Sequence, residues 1–268
     1  MKERLDVLLV KKGYFDSREK ARRSIMAGVV FVGNSREDKP GARFDENTQF
    51  VIKENTNPYV SRGGLKLDKA IKEFNISLEG KAAIDIGAST GGFTDCMLKN
   101  GARKVFAVDV GYGQLAWELR NDHRVVNMER TNIRNVRPED LDEKVDFCSI
   151  DVSFISLKKV IPPALNLAKD GAEFVCLIKP QFEAGRDQVG KRGVVKKAEI
   201  HKKVVTSIAA FVEEKGLNIK GLSYSPIKGP EGNIEYLIYF SKKECINDIL
   251  DIEAEINRVI MESHKNLK

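Results

Sequence analysis

From residue 82 onward the chain alternates short apolar runs with amphipathic stretches. Ala82-Ala-Ile-Asp85, Lys104-Val-Phe-Ala-Val-Asp109, Arg124-Val-Val-Asn127, Val145-Asp-Phe-Cys-Ser-Ile-Asp151, Ala172-Glu-Phe-Val-Cys-Leu-Ile-Lys179, Asn218 to Tyr224 and Glu235-Tyr-Leu-Ile-Tyr-Phe240 have the length and composition of strands. Helical stretches over 93–100 (closed by Gly101), 112–120, 156–168 and 196–215 fill the gaps. This alternation predicts a doubly wound, Rossmann-like α/β sheet. Only Ser225 to Ile234 join the last two strands, too few residues for a helical crossover, so the last strand is expected to be antiparallel. A reversed last strand begins at the rim where its parallel neighbours end, which places Glu235 with Asp85, Asp109, Asp151 and Lys179.

The first 56 residues follow a different pattern. Leu5, Leu8, Leu9 and Val10 line one face of a short helix ending near Gly13. Asp16 and Glu19 have capping-box spacing, as N-cap and N3 of a second helix that stops at Gly28. That helix carries Arg18, Lys20, Arg22 and Arg23, which taken alone read equally as a solvated face, with Ala21, Ile25 and Met26 available to face inward. Val29–Val32 and Gln49–Ile52 read as short strands around a polar turn. Two small helices followed by a β-turn-β element resemble the α+β RNA-binding module of a small-subunit ribosomal protein, tyrosyl-tRNA synthetase and many pseudouridine synthases. The expected organisation is a small RNA-binding domain over 1–56, a linker over 57–62, a catalytic-sized domain over 63–241 and a helical tail over 242–268. In that tail Ile246, Ile249, Leu250, Ile256, Val259 and Ile260 recur at helical spacing, as in a helix packed on the domain or on a partner chain.

The chemistry concentrates at Asp85-Ile-Gly87-Ala-Ser89-Thr90-Gly91-Gly92-Phe93, where an apolar run ends in an acid and opens into a glycine-rich turn. Such turns hold nucleotides at the carboxyl edge of a parallel sheet, and Asp109, ending the next strand, is placed to accept hydrogen bonds from a ribose. The spacing departs from the G-x-G-x-x-G dinucleotide fingerprint. A carboxylate beside the turn repels a pyrophosphate but suits S-adenosylmethionine, which carries a sulfonium, an ammonium and no phosphate. NAD or FAD, or a purely structural turn, are the alternatives. Glu129 and Arg130, after the third strand, are expected near the adenine.

A net charge of +6 and a pI near 9.0 favour an anionic partner without saying which. Cys96, Cys148, Cys176 and Cys245 form no C-x-x-C pair, so neither a metal site nor a disulfide framework is expected. The amino terminus lacks a signal-peptide core, and no apolar run approaches the length of about 18 residues that spans a bilayer. A reducing cytoplasm and no membrane partner fit these features.

Lys179 and Asp151 bring an amine and a carboxylate to the edge where the donor is expected. Taken singly, a strand-end lysine snorkels and a strand-end acid caps a helix. Val152-Ser153 follow Asp151 where enzymes that methylate exocyclic amines carry two prolines, which disfavours an amine acceptor. Cys148 and Cys176 lie in apolar strands and read as core residues rather than as the thiolate of a cytosine-C5 enzyme.

Ser61-Arg-Gly-Gly-Leu-Lys66-Leu, Asp85 to Asp95, Glu129-Arg-Thr-Asn132, Asp151-Val-Ser-Phe-Ile-Ser156, Lys179-Pro-Gln-Phe-Glu-Ala-Gly185 and Gly229-Pro-Glu-Gly-Asn-Ile-Glu235 together resemble the TlyA family. These are ribosomal RNA 2′-O-methyltransferases with an FtsJ-like catalytic domain, historically also called hemolysins. The resemblance covers nearly all of residues 1–241, and Ser241 to Lys268 lie outside it. It implies a Lys-Asp-Lys-Glu tetrad at Lys66, Asp151, Lys179 and Glu235, with Lys179 as the base. It implies S-adenosylmethionine held by Asp85, Gly87, Ser89, Thr90, Gly91, Gly92, Phe93, Asp109, Glu129, Arg130 and Asp151. Ribosomal RNA, or a ribosomal subunit, would be met by Arg4, Arg18, Lys20, Arg22, Arg23, Ser61, Arg62, Lys191 and Arg192, the last two in a basic segment, 186–193, that reads either as a mobile RNA-contacting lid or as an ordinary surface loop. The rival expectations are a non-catalytic RNA-binding protein on the same fold and a membrane-lytic protein, which would need an apolar or amphipathic membrane segment.

Overall fold

The computed structural model describes residues 2–33, 35–53, 57–190, 192–242 and 251–267, with the Arg186 side chain left aside. The chain folds as two compact units, Met1–Gly64 and Leu65–Lys268. Residues 57–62, expected as a linker, therefore belong to the first unit, where Tyr59 is buried and Arg62 bonds Asp38 at 2.6 Å. Lys191 of the basic segment 186–193, and Cys245, Ile246, Ile249 and Leu250 of the tail, lie outside the described residues.

In the first unit, β1 (Lys2–Arg4) leads into α1 (Leu5–Lys11), α2 (Arg18–Met26), β2 (Val30–Val32), β3 (Ser35–Glu37), β4 (Arg43–Asp45) and β5 (Val51–Ile52). β2 lies between β3 and β5, antiparallel to both, and β1 pairs with β4. Leu5, Leu8, Leu9, Ala21, Ile25, Val30 and Phe50 form the core. β1, β3 and β4 escape prediction because Lys-Glu-Arg, Ser-Arg-Glu and Arg-Phe-Asp are too short and too charged to show an alternation. The cap of α2 also differs from expectation. Ser17 is the N-cap and its hydroxyl accepts from the Lys20 N–H at 3.2 Å, so N3 is Lys20 and the reciprocal arm of a capping box is missing. Asp16 instead pairs with Lys20 at 2.5 Å.

The second unit contains α3 (Gly63–Glu73, which starts at the end of the first), β6 (Ala82–Ile86), α4 (Gly92–Lys99), β7 (Lys104–Val108), α5 (Trp117–Arg120), β8 (Val125–Met128), β9 (Val145–Ile150), α6 (Ile161–Leu167), β10 (Ala168–Ile178), α7 (Pro180–Glu183), α8 (Ala198–Glu214), β11 (Asn218–Tyr224), β12 (Tyr236–Ser241) and α9 (Ile252–Asn266). The sheet order is β11-β12-β10-β9-β6-β7-β8, with β12 antiparallel to both neighbours and the strands from β10 to β8 parallel. Register sets the site: Ile86 pairs with Val108 and Ile150, and Ile178 pairs with Tyr236. The residues just beyond these pairs, Gly87, Asp109, Asp151, Lys179 and Glu235, therefore emerge along one rim.

The helix expected over 112–120 shrinks to α5. The Glu129 carboxylate accepts from the Gln114 and Leu115 N–H groups at 2.8 and 3.2 Å, drawing that backbone out of helical bonding. In the tail, Ile256, Val259 and Ile260 join the main core, and Arg258 donates to the Leu222 carbonyl of β11 at 3.3 Å.

Candidate active site

Four charged side chains from widely separated positions form one row along the rim. Glu235 Oε2 accepts from Lys66 Nζ at 2.7 Å, Lys66 Nζ lies 3.8 Å from Asp151 Oδ2, and Asp151 Oδ1 lies 2.5 Å from Lys179 Nζ. The signs alternate along the row, and Lys66, Lys179 and Glu235 are all buried. Burial drives the Asp151 carboxyl upward, but the Lys179 and Lys66 ammoniums outweigh it and hold it below the usual carboxylate range. Lys179 also donates to Ser153 Oγ at 3.2 Å. Lys66 is carried by α3, whose apolar face includes the buried Leu67, Ala70 and Ile71; the other three residues flank strand ends.

Beside this row a cleft of about 470 Å³ opens at the ends of β6, β7 and β9, and Asp151 lines both. At Gly87, with φ 89°, a Cβ would collide with the Asp151 carbonyl, so only glycine lets the first turn lie against this residue. Asp109 is fixed at the cleft by accepting from the Ser89 N–H at 2.8 Å and the Gly111 N–H at 2.7 Å. Its oxygens retain capacity for further donors. Val110, Gln114, Thr131, Asn132, Ile133 and Val152 complete much of the wall.

Of the residues expected to hold a donor, Gly87, Ser89, Asp109 and Asp151 line the cleft and the others do not. Asp85 is wholly buried and accepts from the Thr94 N–H and hydroxyl at 2.9 and 2.7 Å and from the Ser149 hydroxyl at 3.2 Å. Its carboxylate braces the start of α4 from within. Thr90 accepts from Ala116 N–H through its carbonyl, while Gly91, Gly92 and Phe93 open α4, with Phe93 in the core. Glu129 is occupied by the Gln114–Leu115 backbone and by Arg120 at 2.6 Å. Burial works against its charge, yet these bonds bring it down to about 2. Arg130 lies over the Tyr112 ring, 3.9 Å from its centroid. Asn132 and Gln114 join the wall without having been expected as donor contacts, although Glu129-Arg-Thr-Asn132 marks the segment.

The basic residues of the first unit divide by environment. Arg4 Nε and Arg18 Nη2 hold the buried Asp6 carboxylate at 2.9 and 3.0 Å. Lys20 pairs with Asp16, Arg22 is exposed and Arg23 is partly so. The Ser61 carbonyl accepts from the Gly64 N–H at 3.2 Å, and Arg62 packs against Gly28. In the second unit Arg192, Lys196 and Lys197 border a separate cleft of about 750 Å³. Cys148 and Cys176 are fully buried, and burial pushes both thiols up, which removes them as nucleophiles.

Residues 59–242 match the description FtsJ-like methyltransferase, and residues 3–50 match the S4 domain. The Mycobacterium tuberculosis protein named 16S/23S rRNA (cytidine-2′-O)-methyltransferase TlyA is 41% identical over 261 residues, which cover 97% of each chain. The chain belongs to the TlyA family. A Bacillus subtilis relative, YqxC, named provisionally as an rRNA methyltransferase, is 51% identical and spans 100% of this chain and 96% of its own. A solved structure from Streptococcus thermophilus, described as a candidate hemolysin, is 48% identical with a TM-score of 0.79, and the match covers 99% of this chain and 96% of that one. Among the described residues no helix is long and apolar enough to cross a membrane, and no group of three or more His, Cys, Asp or Glu could hold a metal ion.

Proposed function

We propose that the chain transfers the methyl group of S-adenosylmethionine to a ribose 2′-hydroxyl of ribosomal RNA. The observation that carries this reading is Asp151, which stands both in the wall of the cleft and in the middle of the charged row. The cleft suits the donor: it is walled by apolar Val110, Ile133 and Val152, carries the Asp109 carboxylate for ribose hydroxyls, and presents Asp151 where positive charge is favoured. When bound there, the donor supplies an electrophilic methyl group.

The chain's own residues act on the acceptor. A 2′-hydroxyl is a weak nucleophile, so its proton must leave as its oxygen attacks. Lys179 suits the role of base because Asp151 is its one carboxylate partner among the described residues, whereas Lys66 reaches both Asp151 and Glu235. Asp151 and Ser153 orient the Lys179 amine, and Glu235 holds Lys66, whose positive charge would steady the acceptor oxygen. Among the described residues every cysteine is buried, which leaves no thiolate there for attack through a base carbon. No step requires a metal.

Ribosomal RNA as substrate is supported by the name of the Mycobacterium tuberculosis relative and by the S4 match over residues 3–50. Exposed Arg22 in the first unit, and Arg192, Lys196 and Lys197 in the second, give phosphate-binding charge. The test is methyl transfer by the purified full chain to 16S and 23S rRNA, followed by alkaline digestion. A 2′-O-methyl nucleotide leaves an alkali-resistant linkage. Methylation on a base, or no transfer to either RNA, overturns the proposal.

A further inference from the structure

Glu183 stands outside the charged row, yet its carboxylate clamps the loop that follows Asp151. Its Oε2 accepts from the Ser156 hydroxyl at 2.6 Å and its Oε1 from the Leu157 N–H at 2.7 Å. Both bonds cross from the end of α7, four residues after Lys179, to the far end of segment 152–156. The near end of that segment is fixed by the Asp151 N–H, which donates to the Ile86 carbonyl at 2.9 Å. Between these anchors lie Ser153, which accepts from Lys179, and Phe154, whose backbone has φ 64° and whose side chain is 91% exposed. A bulky residue in the left-handed region costs about 1–3 kcal/mol and persists only where its surroundings hold it. The Phe154 ring meets Phe182, the neighbour of Glu183, at 4.9 Å between centroids.

We infer that Glu183 is a positioning residue for methyl transfer: its two bonds lock the loop after Asp151 onto the turn after Lys179, fixing Ser153 on the lysine and presenting Phe154 at the rim of the cleft. The inference rests on the transfer reaction proposed above. Without the clamp the loop relaxes toward ordinary backbone angles, Ser153 leaves Lys179, and the amine loses one of its two orienting partners. Burial pushes the Glu183 carboxyl above its usual range against the pull of the Ser156 and Leu157 bonds, so Glu183→Gln is the conservative variant at this position. Glutamine can accept from Leu157 with its oxygen and donate to the Ser156 hydroxyl with its nitrogen.

The experiment compares single-turnover methyl transfer to ribosomal RNA by wild type, Glu183→Ala, Glu183→Gln and Ser156→Ala, with calorimetric affinity for S-adenosylhomocysteine and RNA affinity measured on each. Misplacement of a reacting group by about 1 Å costs on the order of 100-fold. Glu183→Ala is accordingly expected to transfer about 10- to 100-fold more slowly with both affinities within about 3-fold of wild type, Glu183→Gln to recover most of the rate, and Ser156→Ala to show part of the loss. A merely structural residue would lower the melting temperature without changing the rate per folded molecule. Wild-type rates in Glu183→Ala overturn the inference, as does a loss traced wholly to weaker donor binding. Should Glu183→Ala fail to fold, Ser156→Ala decides, and a wild-type rate there is equally fatal. No transfer by wild type itself would overturn the proposed reaction, a result the same assay keeps separate.

Discussion

Asp85→Asn converts the buried acid behind the glycine-rich turn into a measurable pH dependence. Burial, with the charge of Asp151 adding to it, outweighs the Thr94 and Ser149 bonds and carries the Asp85 carboxyl from its usual 3.8 up to about 7. Between those values the folded chain keeps a proton that the unfolded chain has released, so this group's contribution to stability falls as pH rises. At about 1.36 kcal/mol for each pH unit, the whole window is worth about 4 kcal/mol. His201 works in the opposite direction: burial brings its imidazole down to about 4, so stability rises with pH between that value and its usual 6.5. Wild type alone therefore reports a sum, and the difference between variant and wild type isolates the carboxyl. Asparagine keeps the geometry, its oxygen accepting from Thr94 and its nitrogen donating to the Ser149 hydroxyl. Urea denaturation followed by far-ultraviolet circular dichroism, at intervals from roughly pH 4 to 8 that bracket this window, is expected to show Asp85→Asn gaining on wild type by up to about 4 kcal/mol. Parallel stability curves across that range would refute the reasoning.

Lys179→Ala should lower single-turnover transfer by about 10² to 10⁴ while leaving donor affinity intact, since the lysine acts on the acceptor proton. Asp109→Ala should weaken S-adenosylhomocysteine binding by about 10- to 100-fold in calorimetry, the size of one or two charge-assisted hydrogen bonds; unchanged affinity would move the ribose elsewhere. Arg22→Ala with Arg23→Ala should flatten the salt dependence of RNA binding by about 0.7 to 0.9 in log–log slope for each phosphate that these two arginines neutralise. Arg18 is a poor probe of the same question, because its removal also strips a partner from the buried Asp6.

Much of the large unit is legible in the sequence because its strands announce themselves twice, by an apolar run and by the charged residue that ends it. The short Ser225–Ile234 connection is enough to reverse β12 and so to bring Glu235 to the rim, where it meets Lys66. What the pattern does not carry is the exact strand end, and two residues decide a side chain's fate. Asp109 lies one past the end of β7 and faces the cleft, whereas Asp85 lies one short of the end of β6 and turns under α4. Glu129 and Arg130 show a related ambiguity: a strand-end charge is equally able to serve a donor or to hold its own loop, and here the first accepts from the Gln114 and Leu115 N–H groups while the second lies over the Tyr112 ring. The small unit hides three strands because three-residue polar pairings leave no periodicity, being fixed by tertiary contact rather than by pattern.

The charged row also bears on whether the fold acts or merely binds. Taking ions out of water costs several kcal/mol each, and replacing a buried pair by apolar side chains of similar size is often neutral or stabilising by about 1–4 kcal/mol. Lys66 and Glu235 are such a pair, 7% and 1% exposed and 2.7 Å apart. A chain that only bound RNA, or that acted on membranes through an apolar surface, would have no chemical use for them. Lys66→Met combined with Glu235→Leu separates the cases. Asp151 keeps Lys179 as its partner, so the double variant should melt at or above the wild-type temperature and bind RNA as wild type does, yet transfer no methyl group in a single-turnover assay. Retained transfer would mean that the pair is structural, and a strongly lowered melting temperature would mean that the row holds the fold together in its own right.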